Sequence, residues 1–392
     1  MRTLLAATWP LLLGVAFMMA GNGLQQTLLG VRATLEGFPA SLTGFITSGY
    51  FIGFYLGSWQ VPRFVGRVGH VRVFAGLCAL GSIAILVQAV FINWPAWMAL
   101  RAVTGFSFAG IYIVCESWLN DRAQNENRGR LLSFYMVIQF AGVAVGQVLF
   151  LSASPAGDNL FILVSILLSV SVLPVVLAPG PAPRFDMPAH ISLLQLYRVS
   201  PLGIIGLMGV GLSVSGFLGM GPVFAKIAGL SDAGIALFMI MATASGAVLQ
   251  WPIGRLSDSI GRRPVLIGAT LGATIVAAAA MPFAGGSNAA LFILTFLFGS
   301  LSLPLYSLCV THTNDFLKPE QMVAASSGLI LAYGIGAIFG PTSAGWLIDR
   351  VGPAGYFLYC AIIHAAMTVF ALYRASRRPA PPPRSQAVEE RS

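Results

Sequence analysis

The chain contains an internal repeat. Residues 98–121 and residues 292–315 are two versions of one apolar segment, related by a constant offset of 194 positions. Repeated apolar segments in one chain are the sequence sign of two structurally related halves. The duplication therefore predicts a fold that is built twice. The residue pairs that are identical at this offset are Gly105/Gly299, Tyr112/Tyr306, Cys115/Cys309, Asn120/Asn314, Asp121/Asp315, Glu126/Glu320, Ser133/Ser327, Gly142/Gly336 and Gly146/Gly340.

The composition requires a lipid environment. Hydrophobic residues make up 57% of the chain and charged residues only 9%, with a mean hydropathy of +0.82, which leaves too little polar surface for a water-soluble particle. A helix needs roughly 20 apolar residues to cross the hydrocarbon core, and the chain has about 12 such stretches. We therefore predict an all-α membrane protein with 12 transmembrane helices in two pseudo-symmetric halves. The stretches lie near residues 8–31, 40–62, 72–92, 96–119, 130–151, 159–178, 200–224, 233–255, 264–284, 288–312, 323–347 and 353–374.

Positive charges orient the predicted helices. With the N-terminus inside, 18 of the 22 Lys and Arg residues fall on the cytoplasmic side. Loops rich in Lys and Arg remain on that side of a membrane. We therefore expect a multi-pass protein of the bacterial cytoplasmic (inner) membrane with both termini in the cytoplasm. The same asymmetry accounts for the net charge of +9, so no nucleic-acid partner is expected.

Proline-rich segments mark the predicted boundaries. A run of Pro, Gly and Ala after residue 178 cannot continue a helix. We expect an N-terminal half at residues 1–178, a cytoplasmic linker at 179–199, a C-terminal half at 200–374 and a disordered cytoplasmic tail at 375–392. The first apolar run could alternatively be a cleaved signal peptide, but its removal would break the duplication.

The sequence has no arrangement of residues that is typical of catalysis. The four cysteines lie in apolar stretches without C-x-x-C spacing, and the four histidines are scattered. A Walker loop for ATP is absent from the sequence. We therefore predict no metal site, no cofactor and no enzymatic activity.

The most specific motif follows the eighth apolar stretch and reads GRLSDSIGRR at residues 254–263. Asp258 can accept hydrogen bonds from Arg262 and nearby backbone, and Gly261 permits a tight turn. The motif resembles the G-x-x-x-D-x-x-G-R-R signature of the major facilitator superfamily. That resemblance implies a latch that breaks and reforms during transport; the alternative is charge that only sets topology. The predicted latch residues are Gly254, Asp258, Gly261, Arg262 and Glu320, with Arg63, Arg67 and Glu126 in the first half, where Gly66 replaces the Asp.

Arg101 is the only basic residue inside a predicted span. With Gly105 it resembles the R-x-x-x-G pattern in the fourth span of many proton-coupled members of that superfamily. At about 100° per residue, Arg101, Tyr112 and Glu116 lie on one face of the helix. A charge at this depth is costly unless it faces water or a partner. Arg101 is therefore predicted to serve substrate binding or proton coupling, with snorkelling to the headgroups as the alternative.

Other polar residues extend the predicted substrate and proton pathway. Glu116, near the inner end of the fourth span, is the only carboxylate with a claim to membrane burial, and is either a proton carrier or an ion-pair partner of cytoplasmic arginines. His312, near the inner end of the tenth span, is better explained by packing than by proton relay. The remaining pathway residues are the amides Asn22, Gln25 and Gln26 near the middle of the first span, and the repeated pair Tyr112 and Tyr306.

Small residues recur at four-residue spacing in the fifth and eleventh spans. Gly336, Gly340 and Pro341 resemble a G-x-x-x-G-P pattern that antiporters of the superfamily carry in the fifth span, where this chain has Gly142 and Gly146 without the proline. Small residues at this spacing let helices approach closely. We therefore predict packing seams between the two halves at both places.

The resemblance to the major facilitator superfamily covers residues 8–374, and segments such as residues 115–122 resemble its YcaD-like branch. It implies two six-helix halves, with spans 1, 4, 7 and 10 lining a central cavity that opens alternately to each side. The leading hypothesis is a monomeric, proton-coupled secondary transporter that exports a small organic molecule, either neutral or monoanionic. The alternatives are a facilitative or importing nutrient transporter, and a membrane sensor or scaffold that does not transport.

Overall fold

The computed structural model describes residues 2–122, 128–177 and 192–377, and the regular structure in these ranges is helical. In lipid no water is available to bind backbone N–H and C=O groups, and a helix satisfies them within one segment. The apolar stretches therefore form helices, as predicted. The helices are α1 (Arg2–Leu35), α2 (Ala40–Val68), α3 (His70–Val90), α4 (Trp94–Arg122), α5 (Arg128–Leu149), α6 (Asn159–Val176), α7 (Leu193–Val199), α8 (Pro201–Ile227), α9 (Asp232–Ile260), α10 (Arg262–Ala280), α11 (Ala289–Ser302), α12 (Leu305–Asn314), α13 (Pro319–Val351) and α14 (Ala354–Arg377).

Ten helical stretches in the described residues are long and apolar enough to cross a membrane, with α11 and α12 counted as one. The expected number was 12. Three helices lie outside this set, of which α7 has only seven residues. The other two, α1 and α2, have 34 and 29 residues and are long enough to cross a membrane. α1 carries three amides, which lie in the candidate site described below.

The tenth span is interrupted, whereas the sequence predicted one continuous stretch. α11 ends at Ser302 and α12 begins at Leu305, so that Leu303 and Pro304 separate them. Proline lacks an N–H and its ring crowds the carbonyl four residues earlier, which breaks a helix. His364 on α14 holds the end of α11, because its Nε2 lies 3.0 Å from Ser302 Oγ. Its Nδ1 lies 2.9 Å from the Cys360 carbonyl, which can only accept, so Nδ1 carries the proton and Nε2 accepts from Ser302.

The chain divides into two compact units. The first comprises Met1–Phe38 and Phe45–Met187, and the second comprises Pro39–Gly44 and Pro188–Ser392. In the first unit α1 packs on α5 and α6, and α3 packs on α4 and α6. In the second unit α8 packs on α13 and α14, α9 packs on α11, and α10 packs on α11 and α14. Pro39 and the first five residues of α2 thus group with the second unit.

The predicted linker is partly helical. Residues 192–199 were expected to continue a polar connection, but Leu193–Val199 forms α7. Ser192 caps this helix, since its Oγ accepts from the backbone N–H of Gln195 at 3.3 Å. The remainder of the predicted linker, residues 179–191, and the tail from residue 378 onward lie outside the described residues.

The four predicted seam glycines pack within their own halves, whereas the sequence predicted seams between the halves. On α5, a Cβ at Gly146 would lie 2.4 Å from the Ala20 carbonyl oxygen of α1. On α13, a Cβ at Gly336 would lie 1.9 Å from the Met208 carbonyl oxygen of α8. Gly142 and Gly340 meet the same two partner helices. Pro341 instead packs on the start of α2, since a Cβ at Gly44 would lie 2.2 Å from its carbonyl oxygen. The equivalent residues of the repeat therefore build equivalent contacts inside each half.

Arg32, near the end of α1, has a structural role in the first unit. Its side chain is buried and its Nε lies 2.6 Å from Glu36 Oε1. Its NH1 donates to the carbonyl oxygens of three consecutive residues, Pro155, Ala156 and Gly157. A guanidinium suits this task because its donors are fixed in one plane. Arg32 thus fastens the connection between α5 and α6 to the end of α1.

Asp349, near the end of α13, caps the start of α2 within the second unit. Its Oδ1 accepts from the Ala40 N–H and its Oδ2 from the Ser41 N–H, each at 2.9 Å. These are the first two N–H groups of the helix, which have no partner inside it. A negative charge at a helix N-terminus also interacts favourably with the helix dipole. Gly345 permits the approach, since a Cβ there would lie 2.2 Å from the Ala40 carbonyl oxygen.

We predict that Asp349→Ala lowers the thermal unfolding temperature of the detergent-purified protein, because loss of a helix cap costs about 0.5–2 kcal/mol. Asp349→Asn should have a smaller effect, since the amide oxygen still accepts one hydrogen bond. Asp158→Ala is the matched control, because Asp158 precedes α6 without making a side-chain cap. Equal unfolding temperatures for Asp349→Ala and Asp158→Ala would contradict a capping role.

Candidate functional site

Glycines bring α2 and α4 of the first unit into backbone contact. Gly49, Gly53 and Gly57 recur every four residues on α2 and therefore lie on one face. A Cβ at Gly53 would lie 1.8 Å from the Ala102 carbonyl oxygen on α4. In return, a Cβ at Gly105 on α4 would lie 1.9 Å from the Tyr50 carbonyl oxygen. This contact places Tyr50 beside the residue that precedes Ala102, which is Arg101.

Arg101 is buried against an aromatic ring. Its side chain is 4% exposed, and its Cζ lies 4.6 Å from the centroid of the Tyr50 ring. In the described part of the chain, no carboxylate oxygen lies within 4.0 Å of the guanidinium, and NH1 has no hydrogen-bond partner. The Arg101 side chain is thus buried in the first unit, where it packs against α2. A residue that snorkels would instead extend its guanidinium to the membrane surface.

The known partners of Arg101 do not balance the cost of burying it. A desolvated cation–π contact contributes about 2 kcal/mol. Transfer of an ion out of water costs several kcal/mol even after the protein relaxes. The free edge of the guanidinium can therefore bind an additional group, and an anion would form the strongest hydrogen bonds with it.

Two amides of α1 also carry unpaired acceptors. Asn22 Oδ1 and Gln25 Oε1 are buried and have no hydrogen-bond partner in the described residues. Gln25 Nε2 lies 3.5 Å from Gln88 Oε1 on α3, which in turn lies beside Trp97 at the start of α4. Trp97 Nε1 donates to the Gln88 carbonyl oxygen at 3.0 Å. Gln26, the third predicted amide, is only half-buried.

Two contacts fix the register of α1 against α4. At one end the Tyr112 hydroxyl lies 3.2 Å from Met19 Sδ. At the other end Gln25 reaches Trp97 through Gln88. Asn22 lies about 4.5 Å from Met19 along α1, whereas Arg101 lies about 16.5 Å from Tyr112 along α4, at 1.5 Å per residue. We call Asn22, Gln25, Arg101 and Tyr50 the α1–α4 polar site.

Glu116 lies beyond this site. It lies one turn further along α4 than Tyr112, on a surface that the described residues leave uncovered, and its burial in the membrane stays a prediction. No described cation lies within 4.0 Å of it, so an ion pair with Arg63 or Arg67 does not form. Along the helix axis Glu116 is about 22 Å from Arg101, at 1.5 Å per residue. Any coupling between the two must therefore be indirect.

The second unit lacks a matching cation. Thr295, the repeat of Arg101, is buried, and its Oγ1 has no hydrogen-bond partner among the described residues. Tyr306 packs edge-on against Tyr333 with ring centroids 5.5 Å apart. His312 is buried with its ring 5.3 Å from that of Phe316, in agreement with a packing role. The polar site is thus a feature of the first unit alone.

The loop motif forms a compact ion cluster in the second unit. Arg262 NH1 lies 2.5 Å from Asp258 Oδ1 and donates to Ser257 Oγ at 2.8 Å. Arg262 Nε lies 3.4 Å from Asp315 Oδ2, at the end of α12. Gly261 has a φ of 95°, which explains why glycine separates α9 from α10. Asp315 was known from the sequence only as the repeat of Asp121, and its role here was not predicted.

The first-half counterpart of this motif is different. Arg63 Cζ lies 4.5 Å from the Trp59 ring. At an offset of 192 positions the second half has Trp251 and Arg255, and Arg255 Cζ lies 3.8 Å from the Trp251 ring. The shared four-residue spacing thus produces the same contact in both halves. Arg67 is exposed and, in the described residues, has no carboxylate within 4.0 Å. Glu126 and the side chain of Glu320 lie outside the described part of the chain, and a Cβ at Gly254 would meet open space.

The sequence did not lead us to predict the interruption of the tenth span or the residues that contact Arg101 and Gln25. Pro304 was a signal for the first, because a proline inside an apolar stretch marks a break. Tyr50 could have been found from the Gly49, Gly53 and Gly57 ladder, which marks the face of α2 that another helix approaches. Gln88 had no comparable signal, since its partner is distant in sequence.

Solved structures of transporters share this fold. The nucleoside transporter NupG has a TM-score of 0.80 at 14% identity, over 94% of this chain and 99% of that one. An inward-facing bacterial homolog of the human lysosomal transporter Spinster has a TM-score of 0.73 at 15% identity, over 93% and 95%. The Escherichia coli fucose:proton symporter FucP has a TM-score of 0.59 at 15% identity, over 93% and 97%. At these identities the likeness concerns the fold alone.

Sequence relatives agree with the fold. The uncharacterized MFS-type transporter YcaD of Escherichia fergusonii is 28% identical over 322 residues, or 82% of this chain and 83% of the relative. YcaD of Salmonella newport is 27% identical over 342 residues, or 86% and 88%. The Major Facilitator Superfamily sequence profile matches residues 11–251 and, separately, residues 205–392. The resemblance stated from the motifs is confirmed, and the chain belongs to the Major Facilitator Superfamily of membrane transporters, which are not enzymes.

Proposed function

We propose that this transporter moves a small organic molecule across the bacterial inner membrane by alternating access, in exchange for protons and in the direction of export. Arg101 carries the proposal, because it is a buried cation with a hydrogen-bonding edge that no described residue meets. Ionisable groups inside membrane spans are functional candidates by default, since burial without a partner is costly. We further propose that the protein acts as a monomer with both termini in the cytoplasm.

The α1–α4 polar site supports substrate binding more than a purely structural role. A structural arginine in a membrane span is expected to have its donors satisfied, as Arg32 does with Glu36 and three carbonyl oxygens. Arg101 instead leaves NH1 unpaired among the described residues. A buried donor without a partner is typical of a site that a ligand completes.

Proton coupling is supported by two observations. FucP, which shares the fold, is a fucose:proton symporter. In addition, Glu116 is an exposed carboxylate on the helix that carries Arg101. Because the two are about 22 Å apart along the axis, we propose that the proton and the substrate act on each other through movement of α4 and not by direct contact.

Proton-coupled import is the second candidate. The observation in its favour is again FucP, since a symporter moves its substrate in the same direction as the proton. Direction depends on the order in which sites load and release, and a single conformation does not determine it. The vesicle experiment below distinguishes export from import by the sign of the pH change. A sensor that binds its ligand without transport would give no pH change.

Everted membrane vesicles energised by respiration should show substrate-dependent release of internal protons when screened against a panel of metabolites and drugs. Arg101→Ala should lower kcat/KM for the substrate found by about 10-fold to 100-fold, the loss expected for one charge-assisted hydrogen bond. Arg350→Ala is the matched control, because Arg350 also contacts a ring, that of Trp346, but is exposed. Normal transport by Arg101→Ala, or an equal loss in Arg350→Ala, would remove Arg101 from the mechanism.

Asp258→Asn should slow substrate exchange several-fold while leaving the Kd of the substrate nearly unchanged, because the ion cluster on Arg262 lies in a loop outside the polar site. Counterflow rates in proteoliposomes measure the first quantity and equilibrium binding measures the second. Asp232→Asn serves as the control, since Asp232 forms an exposed ion pair with Lys226 at the other end of α9. An unchanged exchange rate in Asp258→Asn would reduce the motif to a determinant of topology.

A further inference from the structure

We propose that two equivalent sites on the exposed surface of the helices, one in each unit, bind the headgroup of an anionic phospholipid. Each site is a row of three exposed side chains, which we call a lipid stripe. The proposal concerns the lipid around the protein and does not depend on the proposed transport function. The stripes consist of Leu56, Trp59 and Arg63 on α2, and of Val248, Trp251 and Arg255 on α9.

Each lipid stripe follows one face of its helix in the order apolar, aromatic and cationic. At about 100° per residue, Leu56, Trp59 and Arg63 fall within roughly 60° of arc. Trp59 lies about 4.5 Å beyond Leu56 along the axis, and Arg63 lies about 6 Å beyond Trp59. A phospholipid presents its acyl chain, ester groups and phosphate in the same order toward the membrane surface, and indole rings prefer the headgroup region. The stripe therefore matches one lipid molecule that lies along the end of the helix.

Each tryptophan holds its arginine at the exposed surface. Trp59 and Trp251 are 59% and 63% exposed. The guanidinium carbon Cζ lies 4.5 Å from the ring centroid in the Trp59–Arg63 pair and 3.8 Å in the Trp251–Arg255 pair. A cation–π contact restricts a long and otherwise mobile side chain, so less conformational freedom is lost when a ligand binds. The ring therefore favours the binding of an anion by its arginine.

Both arginines keep N–H groups that can bind an anion. Arg63 NH1 donates to the Trp59 carbonyl oxygen at 3.3 Å, which uses one of its five N–H groups. In the described ranges, no carboxylate oxygen lies within 4.0 Å of Arg63 or Arg255. A phosphate group accepts paired hydrogen bonds from guanidinium. Phosphatidylglycerol has a net negative charge, whereas the amine of phosphatidylethanolamine offsets its phosphate, so the anionic lipid is the better partner.

The helix dipole does not account for these arginines. A cation stabilises the C-terminus of a helix chiefly within the last turn. Arg63 and Arg255 each lie five residues before the last residue of the helix, which is Val68 in α2 and Ile260 in α9. The last turn of α2 carries Arg67 instead, and that of α9 carries no basic residue.

The two halves retain the stripe where they differ in the adjacent loop motif. At an offset of 192 positions, both halves have an apolar residue, a tryptophan and an arginine at the three positions of the stripe. Three residues after the arginine, however, the first half has Gly66 and the second has Asp258. The stripe is therefore separate from the ion cluster on Arg262, and the same surroundings, namely lipid, explain why both halves have it.

Brominated lipids test the proposal, because bromine on an acyl chain quenches the fluorescence of a tryptophan that contacts the lipid. The full-length protein is placed in nanodiscs that contain equal amounts of phosphatidylglycerol and phosphatidylethanolamine, with bromine on one lipid or on the other. The difference between a protein with and without Trp59→Phe isolates the signal of Trp59, and Trp251→Phe isolates that of Trp251 in the same way. The ratio of quenching by the two lipids gives the lipid preference at each indole.

We expect phosphatidylglycerol to be favoured about 5-fold at each indole, which is the preference that one arginine near an anionic lipid produces. Arg63→Gln should remove the preference at Trp59 and leave that at Trp251, and Arg255→Gln should do the reverse. Arg72→Gln is the matched control, because Arg72 is an exposed arginine near the start of α3 that contacts no ring in the described part of the chain. It should leave both preferences unchanged.

Equal quenching by the two lipids in the protein with both arginines would overturn the proposal. An equal loss of preference in Arg72→Gln would also overturn it, because the general surface charge would then explain the effect. Loss of the preference on addition of inorganic phosphate would identify a site for a free anion and overturn the lipid as its occupant. The two stripes lie on different helices, so if one arginine variant fails to fold, the other still decides the matter.

Discussion

The first unit depends on the close approach of helix backbones at glycine. α2 meets α4 at Gly53 and Gly105, where any larger side chain would overlap a carbonyl oxygen. In lipid, helices gain little from burying apolar side chains against each other, so van der Waals contact at small residues contributes much of their association. The same contact has a functional consequence, because it carries Tyr50 to Arg101. One packing constraint therefore determines both how these helices associate and where the buried charge lies.

The two halves have equivalent residues at their helix-packing contacts and different residues at the candidate binding site. Gly146 and Gly336 each bring a helix of their own half into backbone contact, and the Trp–Arg pairs at Arg63 and Arg255 are nearly the same. Arg101, in contrast, has Thr295 as its repeat. A duplicated fold needs equivalent seams to remain stable, but a substrate is rarely symmetric. Departure from symmetry at Arg101 is thus a sign of binding.

Much of the fold could be predicted from sequence, because membrane helices are defined by local hydropathy and the backbone has no alternative to the helix in lipid. The interruption at Pro304 and the helix α7 were the main differences, and both have local causes. The candidate site was predicted less completely. Arg101, Asn22 and Gln25 were identified as buried polar residues, but Tyr50 and Gln88 were not. Helical spacing placed Glu116 on the face of Arg101, but it gives only the relative direction of side chains and not which direction faces a neighbour.

The sequence by itself determined the helical membrane class, the repeat, the superfamily and the presence of a charge at membrane depth. These properties depend on residues that are near each other in the chain or on composition. Only the tertiary structure decided that Arg101 meets a ring and no acid, that Asp315 shares Arg262 with Asp258, and that Asp349 caps α2. Each of these contacts joins helices that are distant in sequence, so it depends on how the helices rotate and pack, which no local pattern specifies.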